Sequence, residues 1–225
     1  GDTSLLTSKM PTPSIEDLTE ANAAMKRLVA NDVPIWIRAI PLERLGLIVF
    51  EDASLGNTKG GSAQIGHLVC AVDKKIHSGE KAEVSVLCYK SHQNPRAAAS
   101  TLLNEATGMS EALADIEGTA SWIGACKDHN YDLRRRRRLN REIKIAPLTT
   151  CREDTEFDVG TITDAKSLYD NLMQEQYPGA ERRAAFEICV IRDSLATLGG
   201  KARWVPHDRN PADCLTKIKG NVDCL

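Results

Sequence analysis

The chain has 225 residues, of which 42% are hydrophobic and 27% charged, and its formal net charge at pH 7 is −2. This composition is typical of a soluble globular protein with one sizeable domain and an appendage, or with two small domains. No stretch approaches the roughly 18 uninterrupted apolar residues that a membrane helix requires, so we expect no membrane partner. The near-neutral net charge gives no sign of a basic surface that covers the whole protein. Any contact with nucleic acid is therefore expected at local basic patches.

Seven cysteines are scattered along the chain without any C-x-x-C pair. That arrangement argues against both a zinc ribbon and a disulfide framework. Residues 1–13 lack the charged-then-apolar pattern of a signal peptide. We therefore expect the protein in a reducing compartment and not in the secretory pathway.

A helix is predicted after the lead-in of residues 1–13. Ser14 and Asp17 have the spacing of a capping box, and apolar residues then recur at helical spacing as far as 31–32. From Leu45 the pattern changes to a nearly continuous apolar run. Such a run predicts a strand that is covered on both faces.

Two further strand-like segments follow a polar, glycine-rich turn. They cover 64–72 and 82–89 and are separated by a hairpin-type loop at 73–79. A long helix comes next, because apolar residues step by three and four positions from Leu102 to Ile123.

The second half of the chain predicts shorter strands and helices. Residues 127–157 are polar and irregular and include five consecutive arginines. The predicted elements are a strand at 159–163, helices at 167–173 and 184–198, a strand at 202–205, and a helix at 210–217 with Asn210 as its N-cap. Three consecutive strands followed by alternating units imply a mixed sheet with helices packed on it.

Four carboxylates fall at informative places in this layout. Asp52 lies at the end of the first strand, and Asp164 ends the fourth. Glu105 flanks the apolar stripe of the long helix, and Asp213 sits inside the final helix. Acids at such positions can converge on one pocket at the carboxyl edge of a sheet.

Clustered carboxylates repel one another unless a counter-charge is present. Hard divalent cations such as Mg²⁺ resolve that repulsion, because they bind a few carboxylates together with waters and phosphate oxygens. Two such ions about 4 Å apart can orient an attacking water and stabilise the leaving oxygen of a phosphodiester.

The sequence around these acids resembles the ribonuclease H domain of copia-type long-terminal-repeat retrotransposons. Four motifs in the family's order carry the resemblance. They are Val-Phe-Glu-Asp-Ala-Ser at 49–54 with Gly60-Gly61 and Gln64-Ile65-Gly66, the helix start from Arg96 and Ser100 to Leu-Leu-Asn-Glu-Ala at 102–106, Thr-Asp-Ala-Lys-Ser-Leu at 163–168, and Trp204-Val205-Pro206 with Asn-Pro-Ala-Asp-Cys-Leu-Thr-Lys at 210–217. Four motifs in order are far more specific than any one alone.

The resemblance implies a ribonuclease H-like α/β fold, with a five-stranded mixed sheet of three antiparallel and then parallel strands, flanked by helices. It implies that Asp52, Glu105, Asp164 and Asp213 are the catalytic carboxylates that bind two Mg²⁺ ions, with Mn²⁺ as a substitute. The implied activity is endonucleolytic hydrolysis of the RNA strand of RNA–DNA hybrids during reverse transcription, which leaves a 3′-hydroxyl and a 5′-phosphate.

One departure concerns a histidine that many relatives carry on a longer loop before the last aspartate, where it is thought to assist proton transfer or product release. Here the loop between Trp204 and Asp213 is short, and His207 is its one candidate. We include His207 in the predicted catalytic set, as that histidine or as a contact to phosphate. A plain surface histidine is the alternative.

The N-terminal part resembles the segment that leads from the palm of a retrotransposon reverse transcriptase into its ribonuclease domain. We therefore expect residues 1–44 to be a lead-in and helical segment, and residues 45–225 to be the ribonuclease H-like domain with a basic insertion at 127–157. The expected partners are the RNA–DNA hybrid and the reverse transcriptase portion of the same Pol polyprotein. The expected location is the cytoplasmic retroelement particle or the nucleus.

Basic and polar side chains near these motifs are predicted to contact the hybrid. The predicted contacts are Arg134, Arg135, Arg136, Arg96 and Lys166 at phosphates, and Asn57 and Gln64 at the minor groove. For the arginine run, a solvated loop is an equal alternative.

Three other functions compete with this interpretation. A non-catalytic module that holds hybrid or stabilises the polymerase has no physical need for four mutually repelling acids. An integrase or resolvase of the same fold is less favoured, because a retroviral-type integrase would place its glutamate much later in the chain. A protein-binding role without nucleic acid is the least favoured.

Overall fold

The computed structural model describes residues 6, 9–32, 34–55, 63–96, 99–128, 130–132, 158–174 and 181–217. Its strands are β1 Leu45–Ser54, β2 Gln64–Asp73, β3 Val84–Gln93, β4 Asp158–Thr163 and β5 Lys201–Trp204. They form one sheet in the order β3-β2-β1-β4-β5. β2 is antiparallel to both β1 and β3, while β4 is parallel to both β1 and β5. The predicted five-stranded mixed sheet is confirmed.

Helices cover the two faces of the sheet unequally. One face carries the main core, in which Leu47 and Val49 of β1 pack against α2 Thr101–Lys127, α3 Lys166–Met173 and α4 Arg182–Leu198. The other face carries a smaller cluster around Ile48 and Leu68, to which the last helix adds Leu215. Complete burial of a Leu or Ile side chain stabilises a fold by about 1.5–3 kcal/mol, so both faces hold β1 in the centre.

The first helix, α1 Ile15–Ala30, begins with the predicted capping box. The Ser14 side chain accepts a hydrogen bond from the Asp17 backbone, and the Asp17 side chain accepts one from the Ser14 backbone. None of the residues of α1 is buried, and Ile15 and Leu28 are 86% and 67% exposed. The apolar stripe of α1 is therefore largely exposed.

The last helix is shorter than predicted. It was expected at 210–217 with Asn210 as N-cap, but α5 covers only Asp213–Thr216. The Asn210 side chain donates to the backbone oxygen of Glu51 at 2.8 Å and accepts from the Ala212 N–H at 3.2 Å. Because these bonds fold Asn210 into a turn against β1, the first helical residue is Asp213, two positions after the predicted start at Pro211.

Other boundaries moved for local reasons. β3 was predicted at 82–89 but runs to Gln93, because its ladder with β2 continues through polar residues as far as Gln64. The predicted loop at 73–79 contains a 3-10 helix, Lys74–Ser78, which ends at Gly79 with φ 90°. No described helix has both the length and the apolar character needed to cross a membrane.

Candidate metal centre

The parallel pairing of β1 with β4 brings two of the predicted acids together. Glu51 lies opposite Thr163 in the register, so Asp52 and Asp164 follow at the same level on neighbouring strands. β1 itself continues two residues beyond Asp52, to Ser54, and pairs there with β2. Asp52 is 3% exposed, and the Asp164 side chain is 7% exposed. The two carboxylates thus share the carboxyl edge of the sheet, where ligands bind in open α/β sheets.

Hydrogen bonds at the start of α2 position Glu105 beside that edge. The Ser100 hydroxyl caps the helix by accepting from the Leu103 N–H at 3.0 Å. The Asn104 side chain donates to the Ser54 backbone oxygen at 3.1 Å, and Asn94 donates to Asn104 at 2.8 Å. Glu105, the next residue, is buried, and its Oε2 has no hydrogen-bond partner among the described residues.

Helix α5 supplies Asp213 and is held against the sheet by side-chain bonds. The Thr216 hydroxyl donates to Oδ2 of Asp52, and the Ser91 hydroxyl donates to the Leu215 backbone oxygen at 2.6 Å. Gly66 of β2 lies directly beneath, where a Cβ atom would come within 2.6 Å of the Leu215 Cβ. Only glycine lets the helix approach this closely, which sets the position of Asp213 over the strand ends.

His207 joins the carboxylates despite the short loop. Its Nδ1 lies 2.5 Å from Oδ2 of Asp164, and its Nε2 lies 3.2 Å from Oδ1 of Asp213. The loop is fixed on one side by the Trp204 indole, which donates to the Asp164 backbone oxygen at 2.9 Å. Donor atoms of Asp52, His207 and Asp213 lie within 4.8 Å of one another. The structure thus brings together all five residues that were predicted as catalytic.

Burial and mutual repulsion shape the charge of the cluster. Burial raises the pKa of Asp52, an effect that the Thr216 hydroxyl and the Lys217 charge oppose. Burial, together with the negative charges of Asp52 and Asp164, raises the pKa of Glu105 well above its usual value. Without a cation, such groups tend to hold protons.

Three residues of the site were missed by the sequence analysis. Glu51 is fully buried against Gly108 of α2, and its pKa is raised well above normal by burial and then by the charges of Glu105, Asp52 and Asp164. Thr216 bonds Asp52, and Lys217 contacts Asp213. The sequence did offer a sign that Glu51 is buried. It directly follows the continuous apolar run of β1, and an acid in such a strand is rarely exposed to solvent.

The residues present fit a hard divalent cation. The carboxylate oxygens are the donors that Mg²⁺ and Mn²⁺ prefer, whereas the His207 imidazole is not a usual ligand of Mg²⁺ and is better placed beside such an ion than on it. The buried Oε2 of Glu105 lies beside the Glu51 carboxyl without a donor from another residue, so this pair of acids needs either a shared proton or a bound cation. The described residues therefore contain a cluster that could hold a metal ion.

The residues predicted to contact nucleic acid differ in their exposure and in their partners. Arg96 is exposed and pairs with Glu187 at 2.7 Å, and Lys166 is exposed and pairs with Asp170. Gln64 is 2% exposed and donates to Ser91 at 3.1 Å, so its side chain is held within the sheet and gives no support to a groove contact. Asn57, Arg134, Arg135 and Arg136 lie outside the described residues.

No protein-family model and no curated protein matches this chain. Among solved structures, it is similar to the N-terminal RNase H domain of a Mycobacterium tuberculosis protein, with 18% identity, a TM-score of 0.45, and coverage of 76% of this chain and 91% of that one. It is also similar to LC11-RNase H1 in complex with an RNA/DNA hybrid, with 17% identity, a TM-score of 0.46, and coverage of 75% and 92%. The foamy viral protease-reverse transcriptase, also in complex with an RNA/DNA hybrid, has 10% identity, a TM-score of 0.46, and coverage of 96% and 28%.

Proposed function

We propose that the chain is a metal-dependent ribonuclease that cuts the RNA strand of RNA–DNA hybrids during reverse transcription. One observation carries the proposal. Asp52, Glu105, Asp164 and Asp213 come from four separate elements and converge, with His207, at one edge of the sheet. A cluster of repelling acids is unfavourable for stability, so a catalytic role explains it better than a structural one.

Asp52, Glu105, Asp164 and Asp213 would hold the metal ions. Two Mg²⁺ ions, or Mn²⁺ in their place, would supply a polarised water and neutralise the developing charge on the leaving 3′ oxygen. The hydrogen bond from Thr216 fixes Asp52, and burial restricts both Asp52 and Glu105, so the protein orients these carboxylates in advance of binding.

His207 is suited to move a proton at the rim of the site. Its side chain is 61% exposed, whereas the Asp164 and Asp213 side chains that flank it are 7% and 5% exposed. An imidazole in this position faces the open side, from which a hybrid would approach. Histidine is the side chain that most often transfers protons in general acid–base catalysis, which suits it to this role.

The proposed biological setting follows the copia-type resemblance. Residues 45–225 would be the ribonuclease domain of a Pol polyprotein, and residues 1–44 would belong to the end of its reverse transcriptase. The exposed apolar stripe of α1 supports this division, because α1 adds nothing to the core of the sheet domain. The proposed partners are the hybrid and that reverse transcriptase, in a cytoplasmic particle or in the nucleus.

The test is cleavage of a 5′-labelled RNA–DNA hybrid by the purified chain with Mg²⁺ or Mn²⁺. We expect cleavage of the hybrid but not of single-stranded RNA, and loss of cleavage in EDTA and in Asp52→Asn and Glu105→Gln. Glu111→Gln is the matched control, because Glu111 lies on the same helix and pairs with His92 at 2.9 Å outside the cluster. It should cleave as the wild type does.

Other results would contradict the proposal. Hybrid binding without cleavage would favour a non-catalytic module that holds hybrid or stabilises the polymerase. If the chain neither binds nor cleaves the hybrid, the proposed function is wrong and only the description of the fold remains.

A further inference from the structure

Lys217 follows α5 directly and turns its ammonium group into the carboxylate cluster. Its Nζ contacts Oδ1 of Asp213 and lies 3.1 Å from Nε2 of His207. Both atoms belong to residues of the group formed by Asp52, His207 and Asp213, whose donor atoms lie within 4.8 Å of one another. A positive charge thus stands among the side chains best placed to hold a divalent ion.

The ammonium group of Lys217 also acts on the centre of the cluster. Burial raises the pKa of Asp52, and the positive charge of Lys217 opposes that rise. Lys217 therefore compensates part of the negative charge that a metal ion would otherwise neutralise. A lysine is suited to such a temporary role, because its ammonium is a compact point charge on a flexible stem of four carbons.

We propose that Lys217 is a built-in counter-cation that holds Asp213 and His207 in the metal-free protein and competes with the divalent ion for them. This rests on the proposed function only in that the carboxylates bind a divalent ion. When the ion binds, like charges at such short range repel, so the ammonium group has to move away from Asp213. Lys217 thereby lowers the metal affinity of the site while keeping the empty site folded.

A purely structural role for Lys217 makes a different prediction. If the ion pair only fixed α5, its loss would displace Asp213 and weaken metal binding. Competition predicts the reverse, because removal of the competing cation leaves the same ligands with more net negative charge. The direction of the change in affinity therefore separates the two roles.

The experiment measures Mn²⁺ binding to the purified chain by titration calorimetry, without nucleic acid. We expect Lys217→Met to bind Mn²⁺ about tenfold more tightly than the wild type, and Lys217→Arg, which keeps the charge, to bind close to the wild-type affinity. Lys217→Gln provides the same test if the methionine variant does not fold. Lys90→Met is the control, because Lys90 pairs with Asp115 at 2.6 Å outside the cluster.

Thermal unfolding gives a second readout. The increase in Tm on addition of Mn²⁺ should be larger for Lys217→Met than for the wild type, because at a given concentration an ion that binds more tightly stabilises the folded state more. Unchanged or weaker Mn²⁺ binding in both neutral variants, or no binding at all, would overturn the inference. Tighter binding by a chain that cuts no hybrid would support the inference and contradict the proposed ribonuclease.

Discussion

The hydroxyl of Thr216 donates a hydrogen bond to Oδ2 of Asp52 across 164 positions of the chain. It joins α5, which has only four residues, to the central strand of the sheet. A helix this short has no stability of its own in water. Its position depends on contacts such as this bond and the one from Ser54 Oγ to the Thr216 backbone oxygen at 3.2 Å. Asp213 is thus placed by tertiary contacts.

Thr216→Val removes this bond with little change in shape. The buried Asp52 carboxylate then loses a donor that lowers its pKa, so it becomes a poorer metal ligand. We expect the Mn²⁺ affinity to fall about three- to tenfold, as measured by titration calorimetry. The control is Thr119→Val, which removes a hydroxyl bonded to the Asp115 backbone oxygen. Equal affinities in wild type and Thr216→Val would contradict the assigned role.

His207→Ala tests the proton-transfer role. If the imidazole moves a proton in the reaction, single-turnover cleavage of hybrid at saturating Mg²⁺ should slow about 100-fold. His92→Ala, at a histidine that pairs with Glu111, should leave the rate unchanged. A His207→Ala rate within twofold of the wild type would show that His207 is a surface histidine without a role in proton transfer.

Gly108→Ala tests the packing of Glu51. A Cβ at Gly108 would lie 2.5 Å from Oε1 of Glu51, so we expect the free energy of unfolding to fall by about 1–3 kcal/mol. In a Glu51→Ser background the tight contact is gone and only Ile65 Cγ2, at 3.3 Å, has to give way, so the cost of Ala should be much smaller and be offset by its helix propensity of about 1 kcal/mol over Gly. Urea unfolding of the four proteins completes the double-mutant cycle. If the two changes were additive, the contact would not exist in solution.

His67 predicts a pH dependence of stability. Its side chain is fully buried beside Asp115, with 2.7 Å between Nε2 and Oδ2, and burial lowers its pKa. The folded state therefore keeps His67 neutral, while the unfolded chain binds a proton below about pH 6.5. Stability is fully present above that pH and falls as the pH decreases towards the lowered pKa, by at most about 1.4 kcal/mol per pH unit.

The measurement is the free energy of unfolding, from urea titrations between about pH 7 and pH 5. His67→Gln should reduce the slope with pH, and His92→Gln on the neighbouring strand controls for the loss of an imidazole. Parallel slopes in the wild type and His67→Gln would refute this assignment.

Local patterns were enough to predict the sheet. The continuous apolar run of β1 requires cover on both faces, which is why β1 is central. The end of α4 was also readable, because Gly199 adopts the left-handed conformation, φ 64°, that ends a helix. The four carboxylates could also be identified from the sequence, because each lies in a recognisable motif on one of the predicted elements.

Contacts between distant segments could not be predicted. The start of α5 depends on where the Asn210 side chain bonds, and its partner is the Glu51 backbone. Lys217 and Asp213 stand four positions apart, so their ion pair could be expected from the sequence, but the approach of the Lys217 Nζ to His207 depends on where α5 ends. The Asn210 bond and the Lys217–His207 contact have no local sequence signal, because each exists only once the strands and α5 have come together.

The distance along the chain between Asp52 and α5 has a consequence for the timing of synthesis. At the usual pace of a ribosome, residues this far apart emerge on the order of ten seconds apart. During that interval the nascent chain has Asp52 but neither Asp213 nor the Thr216 hydroxyl. The complete cluster of acids can therefore assemble only after α5 has left the ribosome, well after β1 has emerged.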